Sequence, residues 1–333
     1  MQYKNIPGTV LEPSVICMGS VQFCIENGEK LSFELMDTYV ELGGNFIDTA
    51  NVYGKWLPEG KNISEITIGK WFKEKGNRRK MILGTKGAHP HLSTPNISRL
   101  SVNGVAADLE ESLKALQTDY IDLYWLHRDD ETVPVGEIIE YLTGFVKKGK
   151  IRYFGCSNWK AYRVKEALQY AAGKGSACFA ANQMLWNLAS LNDDPFDDKT
   201  LVIMDEDSYQ LHKEAGLTAI PYTSQANGLF EKLDMAKEIP LSQEMKRTYF
   251  NQENLNRFER VKNIADELSK SITEIVLGYL ISQPFPTIPI IGSRTVEQVK
   301  SSMKAGELVL DEDVLNYLYS GVRSCRKSFQ RFV

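Results

Sequence analysis

Residues 43–54 read GGNFIDTANVYG, which joins a glycine turn, a short apolar run and a polar loop. The apolar run Asn45–Asp48 ends in a carboxylate, and Tyr53 follows five residues later. Short apolar runs that end in polar or glycine residues are typical of buried parallel strands. The pattern predicts eight such strands along the chain: Val15–Met18, Asn45–Asp48, Met81–Thr85, Ile121–Leu126, Tyr153–Cys156, Phe179–Gln183, Thr218–Tyr222 and Thr287–Ile291.

Segments with helical spacing of apolar residues alternate with these strands. They are Leu31–Leu42, Ser64–Lys75, Val105–Leu116, Val135–Lys147, Tyr162–Ala172, Glu206–Glu214, Leu255–Leu268 and Ser271–Gln283. The last segment opens with Ser271 and Glu274, which have the spacing of a capping box. Strands that alternate with helices, without a break in composition, predict an α/β fold: a (β/α)8 TIM barrel in a single domain over residues 1–333. A doubly wound sheet is the alternative, and it is disfavoured because no GxGxxG follows the first strand.

Three segments stand outside this alternation. The first dozen residues place β-prone stretches around Pro7-Gly8, which predicts an N-terminal β-hairpin. Leu188–Asp205 and Asn227–Tyr249 are longer than a barrel needs, and both follow predicted strands. We therefore expect two long loops at the C-terminal face of the barrel, where barrel active sites lie.

Composition excludes several classes of protein. Apolar residues make up 43% and charged residues 25% of the 333 residues, which is ordinary for a globular protein, and the net charge of -4 favours neither nucleic acid nor an anionic membrane. The sequence contains no apolar run long enough for a transmembrane helix and no signal-peptide pattern at its start. The five cysteines form no CxxC pair, which predicts reduced thiols and a cytoplasmic protein: Cys17, Cys24, Cys156, Cys178 and Cys325.

Chemically useful side chains occupy the ends of successive predicted strands. Asp48 ends the second strand, Lys86 follows the third, His127 follows the fourth, and Tyr53 lies in the loop after Asp48. A phenol is a weak acid, and a nearby ammonium favours its ionised form. A buried carboxylate keeps that ammonium charged, and a neutral imidazole can donate a hydrogen bond to a substrate carbonyl. The set therefore indicates proton donation during the reduction of a carbonyl compound.

The motifs that carry these residues resemble the aldo-keto reductase superfamily, and they keep the family's order over nearly the whole chain. They are GGNFIDTANVYG (43–54), TKG (85–87), DYIDLYWLH (119–127), GKIRYFGCSN (149–158), NQMLWN (182–187), IPYTSQANGLF (220–230) and IPIIGSRTVEQV (288–299). The resemblance implies that Tyr53 protonates the carbonyl, that Asp48 and Lys86 tune Tyr53, and that His127 orients the substrate.

The resemblance also implies a nicotinamide cofactor, NADP(H), with NAD as the alternative. Ser157, Asn158 and Gln183 are expected to bind the nicotinamide carboxamide, and Tyr222 to stack on the ring. Thr223, Gln225 and Gly228 stand where the family contacts the pyrophosphate, although the family's Pro-Leu is Ser-Gln here. The segment after the last strand resembles the family's adenosine 2'-phosphate site, with the residues Gly292, Ser293, Arg294, Gln298 and Ser302.

Three residues near the strand ends are candidates for binding a small-molecule carbonyl substrate: Trp56, Arg128 and Trp186. Aromatic walls suit a ring or the face of a sugar. Arg128 is expected either to recognise a carboxylate or hydroxylated substrate, or to form an internal ion pair with Asp129 and Asp130.

Two functional hypotheses remain besides NADPH-dependent reduction of an aldehyde or ketone, such as a sugar or another polar carbonyl compound. One is a cofactor-binding regulatory or interaction protein with weak turnover, which the intact set of four residues disfavours. The other is a metal-dependent hydrolase or isomerase, which needs clustered ligands at several strand ends. Only His127 qualifies as a ligand at a strand end, so no cluster forms and we expect no metal.

Overall fold

The computed structural model describes residues 1–24, 28–235 and 240–323. Within these ranges the chain forms an eight-stranded sheet in which every neighbouring pair of strands is parallel. The strands are β1 (Cys17–Gly19), β2 (Phe46–Asp48), β3 (Ile82–Gly87), β4 (Ile121–Leu126), β5 (Ile151–Ser157), β6 (Phe179–Gln183), β7 (Thr218–Ala219) and β8 (Ile290–Ile291).

The sheet curls into a closed barrel. Strands β7 to β1 lie in sequence order, and β8 pairs with the outer edge of β1. The remaining gap between β8 and β7 is bridged by backbone hydrogen bonds: Ala219 N donates to Pro286 O over 2.8 Å, and Ile288 N donates to Ala219 O over 2.9 Å. The prediction of a (β/α)8 barrel is therefore confirmed.

Twelve α-helices lie in the described ranges. They are α1 (Glu29–Glu41), α2 (Ile63–Lys75), α3 (Val102–Ala115), α4 (Val135–Lys147), α5 (Ala161–Lys174), α6 (Glu206–Ala215), α7 (Leu229–Asp234), α8 (Gln243–Tyr249), α9 (Gln252–Leu268), α10 (Ile272–Ile281), α11 (Val296–Met303) and α12 (Glu312–Ser320). The predicted capping box is present at α10, where Glu274 N donates to Ser271 Oγ over 3.2 Å and Ser271 N donates to Glu274 Oε2 over 3.0 Å. None of these helices is long and apolar enough to cross a membrane.

The last two strands are shorter than predicted, because prolines interrupt them. β7 ends at Ala219, two residues before Pro221, and β8 begins only after Pro289. Proline has no N–H, so it removes a donor from the ladder of hydrogen bonds. The chain nevertheless continues the barrel wall beyond the short strands, since Ile290 N donates to Pro221 O over 2.9 Å.

The predicted N-terminal hairpin closes the bottom of the barrel. Lys4 N donates to Pro13 O and Ile6 N donates to Leu11 O, each over 3.0 Å, in an antiparallel arrangement. Ile6 and Leu11 are buried in the same cluster as Trp125 of β4. The hairpin thus covers one end of the barrel and leaves the carboxyl ends of the strands at the other.

The two predicted loops differ from each other. Residues 188–205 contain no regular element, as expected. In contrast, Asn227–Tyr249 contains α7 and α8, while its residues 236–239 lie outside the described ranges. The prediction of a loop here was wrong because Phe230, Met245 and Tyr249, although spaced among charged residues, pack in one buried cluster.

The described cysteines agree with the expected thiols. Cys17 and Cys156 are buried and Cys178 is half-buried, each as a free cysteine. Cys325 lies outside the described residues.

A buried histidine makes the stability of the barrel depend on pH. His212 of α6 hydrogen-bonds the carbonyl of Leu217 through Nδ1 over 2.8 Å, and Asn182 of β6 contacts its Nε2 over 3.3 Å. Burial lowers the pKa of the imidazole from 6.5 to about 4. Between these two values the unfolded chain binds a proton that the folded protein does not, so stability falls as the pH falls through this window.

We expect this residue to contribute a loss of about 3 kcal/mol in the free energy of unfolding between pH 6.5 and pH 4. The variant His212→Gln should unfold more easily than the wild type near neutral pH, but its stability should fall less steeply with acidification. Urea denaturation at several pH values checks this, with the exposed His91→Gln as the control. Equal slopes for the wild type and both variants would contradict the assignment.

Candidate active site

The four predicted catalytic residues meet at the carboxyl ends of the strands. Asp48 is the last residue of β2, Lys86 lies near the end of β3, and His127 directly follows β4. Parallel pairing aligns these positions, with Asp48 opposite Gly84 and Lys86 opposite Trp125. Asp48 and Lys86 are 2% and 3% exposed, so their charges are almost completely removed from water.

Asp48 and Lys86 form a buried ion pair. Lys86 Nζ donates to Asp48 Oδ2 and, over 2.8 Å, to the carbonyl of Thr49. Gln183 of β6 donates through Nε2 to the second carboxylate oxygen over 2.7 Å. Burial alone favours the neutral amine, but the negative charge of Asp48 outweighs it, with help from Tyr53, and raises the pKa of Lys86. The site therefore contains a permanently charged ammonium at physiological pH.

Tyr53 lies above this ammonium in the loop that connects β2 to α2. The Nζ atom of Lys86 is 5.2 Å from the centre of the Tyr53 ring. Gly54, at φ +100°, allows the chain to turn directly after the tyrosine, and a β-carbon there would approach the amide nitrogen of Ile63 to 2.8 Å. The backbone of Ser64 donates to the carbonyl of Tyr53 over 3.4 Å. The tight turn therefore fixes the position from which the phenol faces the strand ends.

His127 completes the group as a neutral imidazole. Its ring lies 6.1 Å from that of Tyr53, centre to centre, and 4.9 Å from that of His89. Burial, assisted by the positive charge of Arg128, lowers the pKa of His127 well below its usual value. The histidine is therefore neutral at physiological pH, in contrast to Lys86 at a similar depth.

The residues predicted to bind the carboxamide form a connected cluster at the ends of β5, β6 and β7. Asn158 adopts the left-handed conformation at φ 60°, and its Oδ1 accepts a 2.6 Å hydrogen bond from the hydroxyl of Tyr222. Its Nδ2 donates to Ser157 Oγ over 3.2 Å. Gln183 Oε1 is buried and has no hydrogen-bond partner within the described ranges. The cluster is joined to Asp48 through the amide nitrogen of Gln183.

The residues predicted for the phosphate groups lie after β7 and β8. Thr223 and Gly228 adopt positive φ values of 53° and 77°, and Gln225 is half-buried between them. Helix α7 begins directly after Gly228. In the same segment the hydroxyl of Ser224 is already used in the barrel, since its Oγ donates to Ile290 O over 2.6 Å.

The segment Gly292–Arg294 leads into the N terminus of α11. Thr295 caps this helix by accepting a 3.2 Å hydrogen bond from Gln298 N, and Gln298 Oε1 in turn accepts one of 2.7 Å from Arg294 N. Ser293 is buried and Arg294 is exposed. Ser302 is buried in the second turn of α11, four residues after Gln298 and therefore on the same face of the helix.

The three substrate candidates have different surroundings. Trp56 is 42% exposed, and its ring contacts Tyr53 edge-on with 6.2 Å between centres. Trp186 is buried and stacks on Phe285 at 5.9 Å, between the barrel and the helices. The structure therefore does not place Trp186 in a substrate pocket. Trp186 lies beyond the end of β6, so the alternation of side chains along that strand does not predict the direction in which it points.

Arg128 forms an ion pair, but not with its sequence neighbours. Its Nη2 donates to Asp198 over 2.9 Å, and its Nε donates to Thr200 Oγ1 over 2.7 Å. Asp129 instead binds Arg163 over 3.0 Å. Of the two alternatives for Arg128, the ion pair with Asp129 and Asp130 is therefore wrong, since the guanidinium pairs with a distant loop.

Two further features were missed by the sequence analysis. His89 lines a cleft of about 280 Å³ that also reaches Lys86, and its ring packs against His127. The sequence showed His89 only as part of a His-Pro-His loop. Asp198 lies in a long acidic loop, and no sequence pattern indicated its contact with Arg128, because the two residues are 70 positions apart along the chain.

Comparison with known proteins identifies the family. The sequence profile of the Aldo/keto reductase family matches residues 15–321. The protein is 32% identical over 326 residues to an uncharacterized oxidoreductase, YrpG, of Bacillus subtilis, which covers 96% of this chain and 95% of that protein. It is 29% identical over 309 residues to an NADP(+) aryl-alcohol dehydrogenase of Phanerodontia chrysosporium, covering 87% of this chain and 75% of that protein. The chain therefore belongs to the aldo/keto reductase family.

A solved structure supports the same fold. The crystal structure of a thermostable aldo-keto reductase, Tm1743, in complex with the inhibitor epalrestat has a TM-score of 0.70 to this structure. The two proteins are 23% identical, and the match covers 96% of this chain and 99% of that one.

The buried ion pair gives a prediction for stability. The variant Lys86→Met leaves the Asp48 carboxylate buried without its cation, so the free energy of unfolding should fall by about 3–5 kcal/mol at neutral pH. Lys70→Met, which removes an exposed pair with Glu29, should cost less than about 1 kcal/mol. Chemical denaturation measures both values. Equal losses for the two variants would show that Lys86 and Asp48 are not coupled as described.

Proposed function

We propose that this protein is an NADPH-dependent reductase of aldehydes or ketones in which Tyr53 is the general acid. The observation that carries the proposal is the arrangement of one phenol, one charged ammonium and one neutral imidazole at the same barrel mouth. Lys86 is held charged by Asp48, and the ring of His127 lies 6.1 Å from that of Tyr53. A proton donor beside a fixed positive charge suits the protonation of an oxygen that becomes negative.

The residues present fit a nicotinamide cofactor. The buried Gln183 Oε1, without a partner in the described chain, offers an acceptor for a carboxamide N–H. A β-carbon at Gly292 would meet no heavy atom of the described residues within 4 Å, so a phosphate can approach the backbone there. The residues that would hold the cofactor are Ser157, Asn158, Gln183, Tyr222, Thr223, Gln225, Gly228, Gly292, Ser293, Arg294 and Gln298.

The hydride for the carbonyl carbon would come from NADPH, once the cofactor is bound by these residues. The Tyr53 hydroxyl gives its proton to the carbonyl oxygen, so that the product is an alcohol and the tyrosine is left as a phenolate. The Lys86 ammonium stabilises this negative charge, and it is itself kept charged by Asp48. Neutral His127 retains one ring N–H with which to hold the carbonyl oxygen in line with the phenol. Because the neutral form of His127 suffices, the protein should be active at neutral pH.

Arg294 supports a preference for NADPH over NADH. It is exposed immediately before α11, whose N terminus attracts anions. Arginine binds a phosphate through charge-assisted, often bidentate, hydrogen bonds. The 2'-phosphate is the group that distinguishes the two cofactors, so we assign Arg294 to it.

An aromatic carbonyl compound is the substrate class that we propose. Trp56 presents an exposed ring next to Tyr53, and aromatic rings pack well against each other. One relative is named as an aryl-alcohol dehydrogenase that uses NADP(+). A sugar face would also pack against Trp56, so sugars are the comparison class.

We expect wild-type protein to oxidise NADPH in the presence of a benzaldehyde more readily than with aldose sugars. The variant Tyr53→Phe should lose at least about 100-fold in kcat, because it lacks the transferred proton, while it still binds NADPH. Absorbance of NADPH measures turnover, and quenching of protein fluorescence measures binding. Near-normal kcat in Tyr53→Phe, with binding intact, would refute the general-acid role.

The cofactor preference gives a separate prediction. Arg294→Ala should raise the KM for NADPH by about tenfold or more, which corresponds to one charge-assisted contact, and change the KM for NADH by less than about twofold. Lys300→Ala, an exposed cation later on α11, serves as the control. The same increase in KM for both cofactors would contradict the assignment of Arg294 to the 2'-phosphate.

A further inference from the structure

The loop between β6 and α6 returns over the barrel mouth and contacts residues of the candidate active site. Asp198 and Thr200 both accept hydrogen bonds from the guanidinium of Arg128, over 2.9 and 2.7 Å. The side chain of Arg128 is only 13% exposed as a result, although that of Asp198 is 45% exposed. A charged pair with one buried partner is screened less by water than an ordinary surface pair.

The same loop also holds Asn158. The backbone N–H of Val202 donates to Asn158 Oδ1 over 3.1 Å. Asn158 Nδ2 donates to the carbonyl of His127 over 3.3 Å, and Arg128 Nη1 donates to that carbonyl over 2.9 Å. Asn158 and Arg128, the two residues that the loop binds, therefore both donate hydrogen bonds to the backbone oxygen of His127.

The loop is anchored on both sides of residues 198–202. Leu185 N donates to Val202 O over 2.9 Å, and Met204 N donates to Leu185 O over 3.0 Å, so the chain after residue 202 is tied to the end of β6. Before residue 198 the loop is tied to α8, since Asn192 N donates to Thr248 O over 2.9 Å and Asn192 Nδ2 donates to Arg247 O over 2.8 Å. The exposed Asp197 also pairs with Arg247. Residues 198–202 thus form a short crossing segment between two anchored stretches of the loop, and we call this segment the clasp.

Asn158 has no remaining hydrogen-bonding capacity in this arrangement. A side-chain amide offers two donors and two acceptor positions. Its Oδ1 accepts from Tyr222 Oη and Val202 N, and its Nδ2 donates to Ser157 Oγ and His127 O. Any ligand amide that binds Asn158 must therefore displace one of these partners. Val202 is the partner that lies in the clasp, whereas Ser157 and His127 lie at strand ends and Tyr222 lies three residues after β7.

We propose that the clasp positions His127 and Asn158 in the unliganded protein, that Asp198 holds the clasp closed through Arg128, and that the clasp opens when the cofactor displaces Val202 from Asn158. Asp198 is a positioning residue here, since it acts on the site through Arg128. Part of the proposal rests on the proposed function, because it takes NADPH as the ligand that competes with Val202 for Asn158.

The test compares two neighbouring aspartates of one loop. Asp198→Ala removes the contact with Arg128, whereas Asp197→Ala removes an equal charge but only a surface pair with Arg247. Stopped-flow fluorescence gives the rate constants for NADPH association and dissociation. We expect Asp198→Ala to associate NADPH about tenfold faster, as for the loss of one charged hydrogen bond that holds the clasp closed before binding, and to change the dissociation rate constant by less than about twofold. Asp197→Ala should remain within about twofold of wild type in both.

A conservative variant and a stability measurement separate positioning from folding. Asp198→Asn keeps an acceptor for Arg128 and should fall between wild type and Asp198→Ala. A merely structural role would lower the melting temperature and the active fraction but leave the association rate constant of the active fraction unchanged, and that result would overturn the proposal. Equal association rate constants for Asp198→Ala and Asp197→Ala would overturn it too. Failure of the wild type to bind NADPH would instead refute the proposed function.

Discussion

The site depends on one buried ion pair. Asp48 and Lys86 are both almost fully enclosed, and neither charge would be tolerated there without the other. Because the carboxylate also accepts from Gln183, the pair joins the ends of β2, β3 and β6 in one contact. The pair also fixes the ammonium beneath the Tyr53 ring, since Lys86 cannot move without leaving Asp48.

The contrast between Lys86 and His127 shows how one environment produces two charge states. Burial disfavours the charged form of both side chains. Lys86 has a carboxylate partner, so its pKa rises, whereas His127 faces the positive charges of Arg128 and Lys86, so its pKa falls. The barrel mouth therefore contains a cation and a neutral donor side by side, and the difference arises from their partners and not from their depth.

Sequence reasoning predicted the barrel because strand ends can be recognised from local pattern. Asp48, Lys86 and His127 were placed correctly at those ends, since each ends or directly follows a short apolar run. Trp186 was misplaced because its side-chain direction is set by packing against Phe285, 99 positions later in the chain. The partnership of Arg128 with Asp198 had no local signal either, because an irregular loop carries no periodicity that indicates which residue it contacts.

The closure of the barrel has a consequence for how the protein is made. β8 pairs with β1, and the segment just before it bridges to β7, so residues 286–291 seal both free edges of the sheet. During translation these residues leave the ribosome after nearly the whole barrel has been synthesised. Until then two strand edges have unpaired backbone groups, which are the usual templates for association between chains. A nascent chain halted before Ile290 is therefore the species most in need of a chaperone.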